Sequence, residues 1–303
     1  MIDLSQLSPM MQHYMETKKE YPDCVLFYRL GDFYEMFFDD ALTVSKELEI
    51  TLTGKDCGLS ERAPMCGVPF HALDSYLYRL VQKGYKVAIA EQMEDPRQAK
   101  GLVKREVIRV VTPGTITSSQ VLDETKNNYL MGIVYMDGIY GISTADISTG
   151  DFMVTEVDSD RELFDEINKF SPSEIICNNA FYMSGVDMDE LKNRYQVVIS
   201  ALDSRFFGEE SCRRILMEHF KVGALVGLGL EDYATGIIAA GAVMQYIYET
   251  QKSTLEHITT ITPYSTGQYM VIDTSTRRNL ELVETMREKQ KRGTLLWVLD
   301  KTK

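Results

Sequence analysis

Residues 25–41 read VLFYRLGDFYEMFFDDA, and this stretch decides how the first part of the chain folds. It begins with apolar, strand-forming residues, breaks at Gly31-Asp32, and resumes with phenylalanines among acidic residues. An apolar run that ends at such a breaker predicts a strand, a tight turn and the entry to a helix. Because turns and loops present side chains outward, we expect Phe33 and Glu35 to lie at the mouth of this element.

Two interpretations of Phe33 and Glu35 fit this pattern. In the first, Asp32 is a helix N-cap, Glu35 completes a variant capping box, and Phe33, Phe37 and Phe38 pack inward. In the second, Phe33 is an exposed aromatic wedge and Glu35 is its hydrogen-bonding neighbour. Capped helices and core phenylalanines are the commoner case, so only a wider pattern can favour the second interpretation.

Composition predicts a globular protein of more than one domain. The chain has 303 residues, of which 44% are hydrophobic and 25% charged, which suggests two domains and part of a third. It has neither an apolar run long enough to span a bilayer nor an N-terminal signal pattern, so we expect a cytoplasmic protein. Its cysteines form no Cys-x-x-Cys pair and its histidines lie at no ligand spacing, which predicts reduced, buried thiols and no zinc site: Cys24, Cys57, Cys66, Cys177 and Cys212.

The net charge of −13 argues against nucleic-acid binding when the chain is taken as a whole. The charge is unevenly spread, however: residues 1–115 carry −3, residues 116–270 carry −13, and residues 271–303 carry +3. Within the first part, residues 79–109 hold eight basic side chains against four acidic ones. The ends of the chain therefore remain compatible with a DNA surface.

The first part of the chain reads as a small α+β domain. A helix is predicted over 8–21, with Ser8 as N-cap and Pro9 at the first helical position. A second helix is predicted over about 39–48, and residues 51–69, rich in glycine and proline, are expected to be irregular. An amphipathic helix over about 72–81, with Gly84 as its C′ residue, is followed by strands at 86–91 and 106–111.

The second part has the pattern of a layered α/β domain. A polar stretch at 116–128 reads as a linker. Breaks at Asp137-Gly138 and Thr149-Gly150 divide three strand-like runs into a meander. Alternating helices and strands then predict a ribonuclease-H-like fold. The predicted elements are strands 129–136, 139–147 and 151–157, helix 160–169, strand 174–177, helix 187–193, strand 196–200, helix 233–250, an extended run near 257–272 and a helix over 274–286.

Five blocks of sequence resemble the MutS family of DNA mismatch-repair proteins. They are GDFYEMF (31–37), APMCGVPFHA (63–72), VAIAEQ (87–92), RVVTPGT (109–115) and TRRNLEL (276–282). Their order along the chain makes chance similarity implausible. The resemblance implies that Phe33 stacks on a mismatched base from the minor groove and that Glu35 hydrogen-bonds it.

The same resemblance implies further DNA contacts from Lys55, Met65, Lys104 and Arg105. For the basic residues the alternative is a solvated surface charge, and for Met65 it is buried filler. It also implies a mismatch-recognition domain (1–115), a linker (116–128), a ribonuclease-H-like connector domain (129–256) and the beginning of a lever domain (257–303). The clamp and ATPase domains would lie outside this sequence, so ATP, magnesium and homodimer formation are expected only for the full-length family member.

The sequence is also compatible with two other functions. The acidic connector domain resembles the part of the family that docks a MutL-type partner, which makes an interaction module possible. A ribonuclease-H-like fold can also house a two-metal nuclease, with Asp146, Asp151 and Glu166 as the nearest acidic residues. No phosphate-binding loop is present, because Gly54-Lys55 is followed by Asp56. We therefore expect no catalytic residue, no metal site and no cofactor in this chain.

Overall fold

Two six-stranded mixed sheets organise the chain, and the predicted α/β fold class is confirmed. The computed structural model describes residues 4–94, 101, 103–117, 127–268, 272, 274–288 and 290–300. In the first sheet the strands follow the order β3-β4-β2-β1-β5-β6. These strands are β1 (Cys24–Leu30), β2 (Phe33–Phe37), β3 (Thr53–Lys55), β4 (Ala63–Pro69), β5 (Lys86–Gln92) and β6 (Arg105–Val111).

Helices cover both faces of the first sheet. They are α1 (Pro9–Glu20), α2 (Phe38–Leu48) and α3 (Leu73–Gln82). Tyr34 and Met36 point to the core shared with α2 and α3, and Phe37 points to the core shared with α1. This alternation is the period of two that a strand imposes. Gly84, with a φ of 87°, lies just beyond α3 as predicted and donates its N–H to Val81.

Two predictions for this region are wrong. The residues after Gly31-Asp32 do not enter a helix, because Phe33–Phe37 forms β2, which pairs with β1 and β4, and helix α2 begins only at Phe38. The segment 51–69 is not irregular, since it contains β3 and β4. In both cases pairing with distant strands outweighs the local turn and capping signals.

The second sheet has the order β11-β10-β7-β8-β9-β12. Strands β7, β8 and β9 form the predicted antiparallel meander. Strand β10 pairs with β7 in parallel, and β11 pairs with β10 in parallel. Strands β7 (Tyr129–Met136), β8 (Ile139–Asp146), β9 (Asp151–Val157), β10 (Glu174–Cys177), β11 (Val198–Ala201) and β12 (Thr262–Pro263) compose it. The accompanying helices are α4 (Asp160–Phe170), α5 (Asn179–Tyr182), α6 (Met188–Tyr195), α7 (Glu209–Phe220) and α8 (Ala234–Gln251).

Helix α8 is the centre of the second core. It is apolar almost all round and packs against β7, β8 and α7, which explains why so much of it is buried. The sequence did not predict α5 or α7. Strand β12 continues the sheet to Pro263, beyond residue 256, and the predicted domain boundaries stay predictions.

A buried turn joins the two sheets. Thr112 caps the 3₁₀ turn Pro113–Thr115, and the carboxylate of Glu174 accepts hydrogen bonds from Thr112 Oγ1 (2.5 Å), the Gly114 N–H (3.1 Å) and the Tyr246 hydroxyl (2.7 Å). Glu174 is fully buried, so these donors replace the water that the carboxylate loses on folding. Burial and the neighbouring Glu174 raise the pKa of Tyr246 well above its ordinary value.

The last part of the described chain is less regular than predicted. Helix α9 spans only Thr274–Asn279, so the predicted helix over 274–286 is too long, and a short helix α10 (Leu295–Leu299) follows. The predicted extended run near 257–272 is represented by β12, and residues 269–271 lie outside the described part. Among the described residues, no helix combines the length and apolar character needed to cross a membrane.

Candidate nucleic-acid interface

Phe33 lies at the tip of the hairpin formed by β1 and β2. The turn consists of Gly31 and Asp32, and Gly31 has a φ of 58°, which favours glycine. Phe33 pairs with Leu30 on one side and with Pro69 on the other. Its side chain is nevertheless 46% exposed, so the interpretation that packs Phe33 inward is wrong.

The exposure of Phe33 is specific to its position in the strand. Phe33, Glu35 and Phe37 occupy every second position of β2, so their side chains lie on the same face of the strand. Phe37 is 1% exposed and packs edge-on against Tyr14 of α1, with 4.9 Å between ring centroids. Helix α1 therefore seals the inner end of this face, and the outer end carries an aromatic ring in contact with solvent.

Glu35 and Lys55 form an ion pair across the sheet. The distance between Lys55 Nζ and Glu35 Oε2 is 2.5 Å, and the two side chains are 32% and 16% exposed. Residue Gly67 stands opposite Glu35 in β4. The ammonium also lies 5.6 Å from the ring centroid of Phe37, so the structure brings two predicted site residues together on the face that carries Phe33.

Met65 shares this face and is half-buried. It pairs with Phe37 of β2 and with Thr53 of β3, and it packs against the α1-side core. Thr53 Oγ1 donates to the Met65 carbonyl over 3.3 Å and approaches its sulfur at 3.7 Å. The side chain of Met65 therefore packs partly in the core and contributes partly to the protein surface.

Lys104 and Arg105 are neighbours with opposite environments. Lys104 is exposed and pairs with Glu106 over 2.6 Å, and this hydrogen bond raises the pKa of Lys104 and lowers that of Glu106. Arg105 is only 6% exposed; its guanidinium donates to the carbonyls of Arg29 and Val103, each over 2.7 Å. Its predicted phosphate contact stays a prediction, and this burial does not favour it.

Sequence reasoning missed Arg29 and Phe70 at the same hairpin tip. Phe70 is 44% exposed, and the guanidinium carbon of Arg29 lies 4.2 Å from its ring centroid. Arg29 also approaches Tyr34 and Glu91, and the Tyr34 hydroxyl donates to Glu91 over 2.6 Å. Burial and this hydrogen bond raise the pKa of Tyr34 to about 12. The signals for Phe70 were its place beside Pro69 in a breaker-rich segment and within the block 63–72 that resembles the MutS family.

The carboxylates considered for a nuclease serve the fold. Asp146 accepts from Ser148 N–H (2.8 Å), Ser148 Oγ (2.6 Å) and Asn128 N–H (3.0 Å). Glu166 lies on α4 and accepts from Lys169 (3.1 Å) and Tyr264. Asp151 pairs with Asp146 in the sheet register but joins no larger acidic group. Within the described ranges, no set of three or more His, Cys, Asp and Glu side chains could hold a metal ion.

The five cysteines are free and buried, as the composition predicts. Burial raises the pKa of Cys24 to about 11 and those of Cys66, Cys177 and Cys212 to about 12. Raised thiol pKa values disfavour the reactive thiolate. These side chains therefore act as small core residues.

Comparison with known proteins identifies two matched regions. A sequence model described as MutS domain I matches residues 8–120, and one described as MutS domain II matches residues 128–259. The chain is 64% identical over 300 residues to the DNA mismatch repair protein MutS of Lachnoclostridium phytofermentans, covering 99% of this chain and 32% of that protein. It is 54% identical over 302 residues to the protein of the same name from Acetivibrio thermocellus, covering 99% and 34%. The chain spans about a third of the length of these relatives.

Proposed function

The chain belongs to the MutS family of DNA mismatch-repair proteins, and we propose that it binds mismatched double-stranded DNA through the hairpin tip that carries Phe33. In this proposal Phe33 enters from the minor groove and stacks on the mismatched base. The observation that carries it is the 46% exposure of Phe33 at the end of a strand face whose next phenylalanine, Phe37, is sealed.

The energetics of a wedge explain why defects are preferred. Opening a base step costs on the order of a few kcal/mol, and the cost is lowest where pairing is already defective. Stacking a base on an aromatic ring returns roughly 1–3 kcal/mol. The gain balances the cost only at a weakened step, so one ring serves many different mismatches through DNA deformability.

Glu35 supplies selectivity in this proposal by hydrogen-bonding an edge of the mismatched base. A carboxylate beside a polyanion disfavours binding where no base partner is available. The ammonium of Lys55, 2.5 Å away, offsets part of this repulsion. Fully paired DNA therefore meets the remaining repulsion, whereas a mismatch offers the carboxylate a partner.

The remaining site residues have unequal support. Lys104 is exposed beside β6, which suits a contact with a phosphate. Met65 is a half-buried residue whose side chain suits an apolar groove contact. Lys55 is 32% exposed on the face that carries Phe33, which suits a contact with a phosphate. Arg105 keeps its place in the proposed interface only through its contact with the backbone of Arg29.

Binding to matched and mismatched duplexes at about 50 and 200 mM salt tests the proposal. We expect Phe33→Ala to abolish the preference of the chain for the mismatched duplex. Leu42→Ala is the matched control, because Leu42 is 48% exposed on α2 of the same domain and should leave the preference unchanged. The proposal fails if the wild-type chain shows no preference at either salt concentration, or if Phe33→Ala retains it.

We assign the other activities of the family to a protein of the relatives' length. This chain would contribute binding, whereas ATP and magnesium binding and homodimer formation would reside elsewhere in the longer protein. The bacterial origin of the relatives supports a cytoplasmic location, because the chromosome that needs repair lies there.

The second sheet supports a further candidate function, the docking of a MutL-type partner. Met136 and Ile139 pair at one end of β7 and β8, and Asn178 ties the start of α5 to Tyr135 of β7. This end carries four exposed apolar side chains: Met136, Ile139, Tyr182 and Met183. Exposed apolar clusters mark protein interfaces.

Binding of a purified MutL-type protein tests this candidate. We expect Met183→Ser to weaken the complex, since Met183 is 84% exposed. Val226→Ser is the control, because Val226 is 55% exposed in a turn after α7. Equal binding by wild type and Met183→Ser would refute docking at this end of the sheet.

A further inference from the structure

Three hydrogen bonds hold the backbone around the turn that carries Phe33. The Gly31 carbonyl accepts from Arg29 Nε over 2.5 Å, and the Asp32 carbonyl accepts from the Phe70 N–H over 2.9 Å. The carbonyl of Arg29 itself accepts from Arg105 Nε over 2.7 Å. A two-residue turn between two central strands of the sheet thus has side-chain and backbone tethers on both sides.

The side chain of Arg29 is itself fixed in place. Its guanidinium carbon lies 4.2 Å from the ring centroid of Phe70 and 5.4 Å from that of Tyr34, and one terminal nitrogen lies 3.8 Å from Glu91. Only 16% of the side chain is exposed. A guanidinium stacked on an aromatic face is held in orientation as well as position.

We infer that Arg29 and Phe70 form a clamp that positions Phe33 for insertion into DNA. Both are positioning residues: Arg29 holds Gly31, Phe70 holds Asp32, and the stack between them makes the two tethers one unit. This inference rests on the proposed function, because it assigns the clamp to the wedge. Because the clamp fixes the position of Phe33 when the protein folds, the entropy cost of ordering Phe33 does not weaken DNA binding.

A direct phosphate contact by Arg29 is the alternative. It would require the guanidinium to leave Gly31, Phe70 and Glu91, and only a small part of the side chain faces solvent. The alternatives differ in salt dependence. Removing a phosphate contact with Arg29→Gln would reduce the slope of log affinity against log salt by about 0.9, whereas loss of a clamp leaves that slope unchanged on matched DNA.

Fluorine NMR on the free chain tests the clamp without DNA. With para-fluorophenylalanine in place of Phe33, we expect one sharp resonance in the otherwise wild-type chain and a broadened or divided resonance in Arg29→Lys. Arg79→Lys is the matched control, because Arg79 also donates to a carbonyl, that of Leu48, over 3.1 Å, and lies on α3, which packs against the core opposite to that of α1. An unchanged resonance in Arg29→Lys would overturn the inference.

A second variant guards against a folding defect. Phe70→Leu removes the ring but keeps the main-chain bond to Asp32, and the exposure of Phe70 makes the change tolerable for the fold. We expect the same broadening, and an affinity for mismatched DNA reduced about tenfold, which corresponds to about 1.4 kcal/mol. A sharp resonance together with full affinity in Phe70→Leu would also refute the clamp.

The clamp and the proposed function fail in different experiments. If Phe33→Ala retains the mismatch preference, the wedge is wrong whatever the fluorine spectrum shows. If Phe33→Ala abolishes the preference and Arg29→Lys leaves the Phe33 resonance sharp, the wedge stands and the clamp is wrong.

Discussion

The ion pair between Glu35 and Lys55 makes a quantitative prediction about how a mismatch is read. In this account Glu35 leaves Lys55 when it hydrogen-bonds a base in the mismatched complex, whereas on matched DNA the pair stays intact. We therefore expect a double-mutant cycle with Glu35→Gln and Lys55→Met to be non-additive for mismatched DNA and additive for matched DNA.

The size of this non-additivity follows from the geometry. Two unit charges 2.5 Å apart attract by about 1.7 kcal/mol at the dielectric constant of water and by roughly 7 kcal/mol at an effective value of about 20. Partly exposed pairs usually contribute about 0.2–1 kcal/mol, because solvent screens them. Since the Lys55 side chain is 32% exposed, we expect a coupling of about 1 kcal/mol, a factor of about five in affinity.

Two measurements establish the cycle. Urea unfolding of the four proteins without DNA should give the coupling of about 1 kcal/mol directly in the free energy of unfolding. Fluorescence anisotropy with matched and mismatched duplexes should give a non-additivity of the same size for the mismatch only. Additive effects on both duplexes, alongside a clear coupling in the free protein, would show that Glu35 never leaves Lys55 and would refute this account of selectivity.

The remaining predictions concern the fold. Gly241→Ala should destabilise the chain by about 1–3 kcal/mol, although alanine has the better helix propensity, because the new Cβ would lie 2.3 Å from Cys212 Cβ. Gly223→Ala is the control, because a Cβ at residue 223 meets nothing within 4 Å. Equal urea midpoints for the two variants would contradict the packing argument. Burial raises the pKa of Cys66 and Cys212 to about 12, above the unfolded value of 9.0. Below pH 9.0 these thiols are protonated in both the folded and the unfolded protein, and their contribution to stability is complete. As pH rises from 9.0 toward about 12, the unfolded protein releases these protons more readily, so the free energy of unfolding falls. The urea midpoint should therefore fall over that range, and a midpoint that stays constant would contradict the prediction.

Periodicity predicted the elements whose partners are close in sequence. The bounds of β7, β8 and β9 were predicted within one residue, because the turn glycines and the alternation of residues between them indicate which neighbouring strands pair. Strand β2 was mistaken for a helix entry, since Asp32 and Glu35 have the spacing of a capping box. What makes β2 a strand is pairing with β4, which lies about thirty residues away and carries its own breakers.

The site residues also divide into those that the sequence indicated and those whose contacts only the structure shows. The resemblance indicated Phe33, and only the structure shows that its ring is exposed while Phe37 is sealed. The pair formed by Glu35 and Lys55 joins residues twenty positions apart, on strands that are not adjacent in the sheet, and no local pattern encodes it. Sequence did not reveal that Arg105 is only 6% exposed, with its guanidinium donating to the carbonyls of Arg29 and Val103.

The most direct test of the central claim measures base stacking next to a mismatch. In a duplex with 2-aminopurine beside the mismatched base, unstacking raises the fluorescence of the analogue. We predict a rise when the wild-type chain or Leu42→Ala binds, and no rise with Phe33→Ala at a concentration that saturates the DNA. A rise of wild-type size with Phe33→Ala would show that another part of the protein opens the stack, and would contradict the wedge.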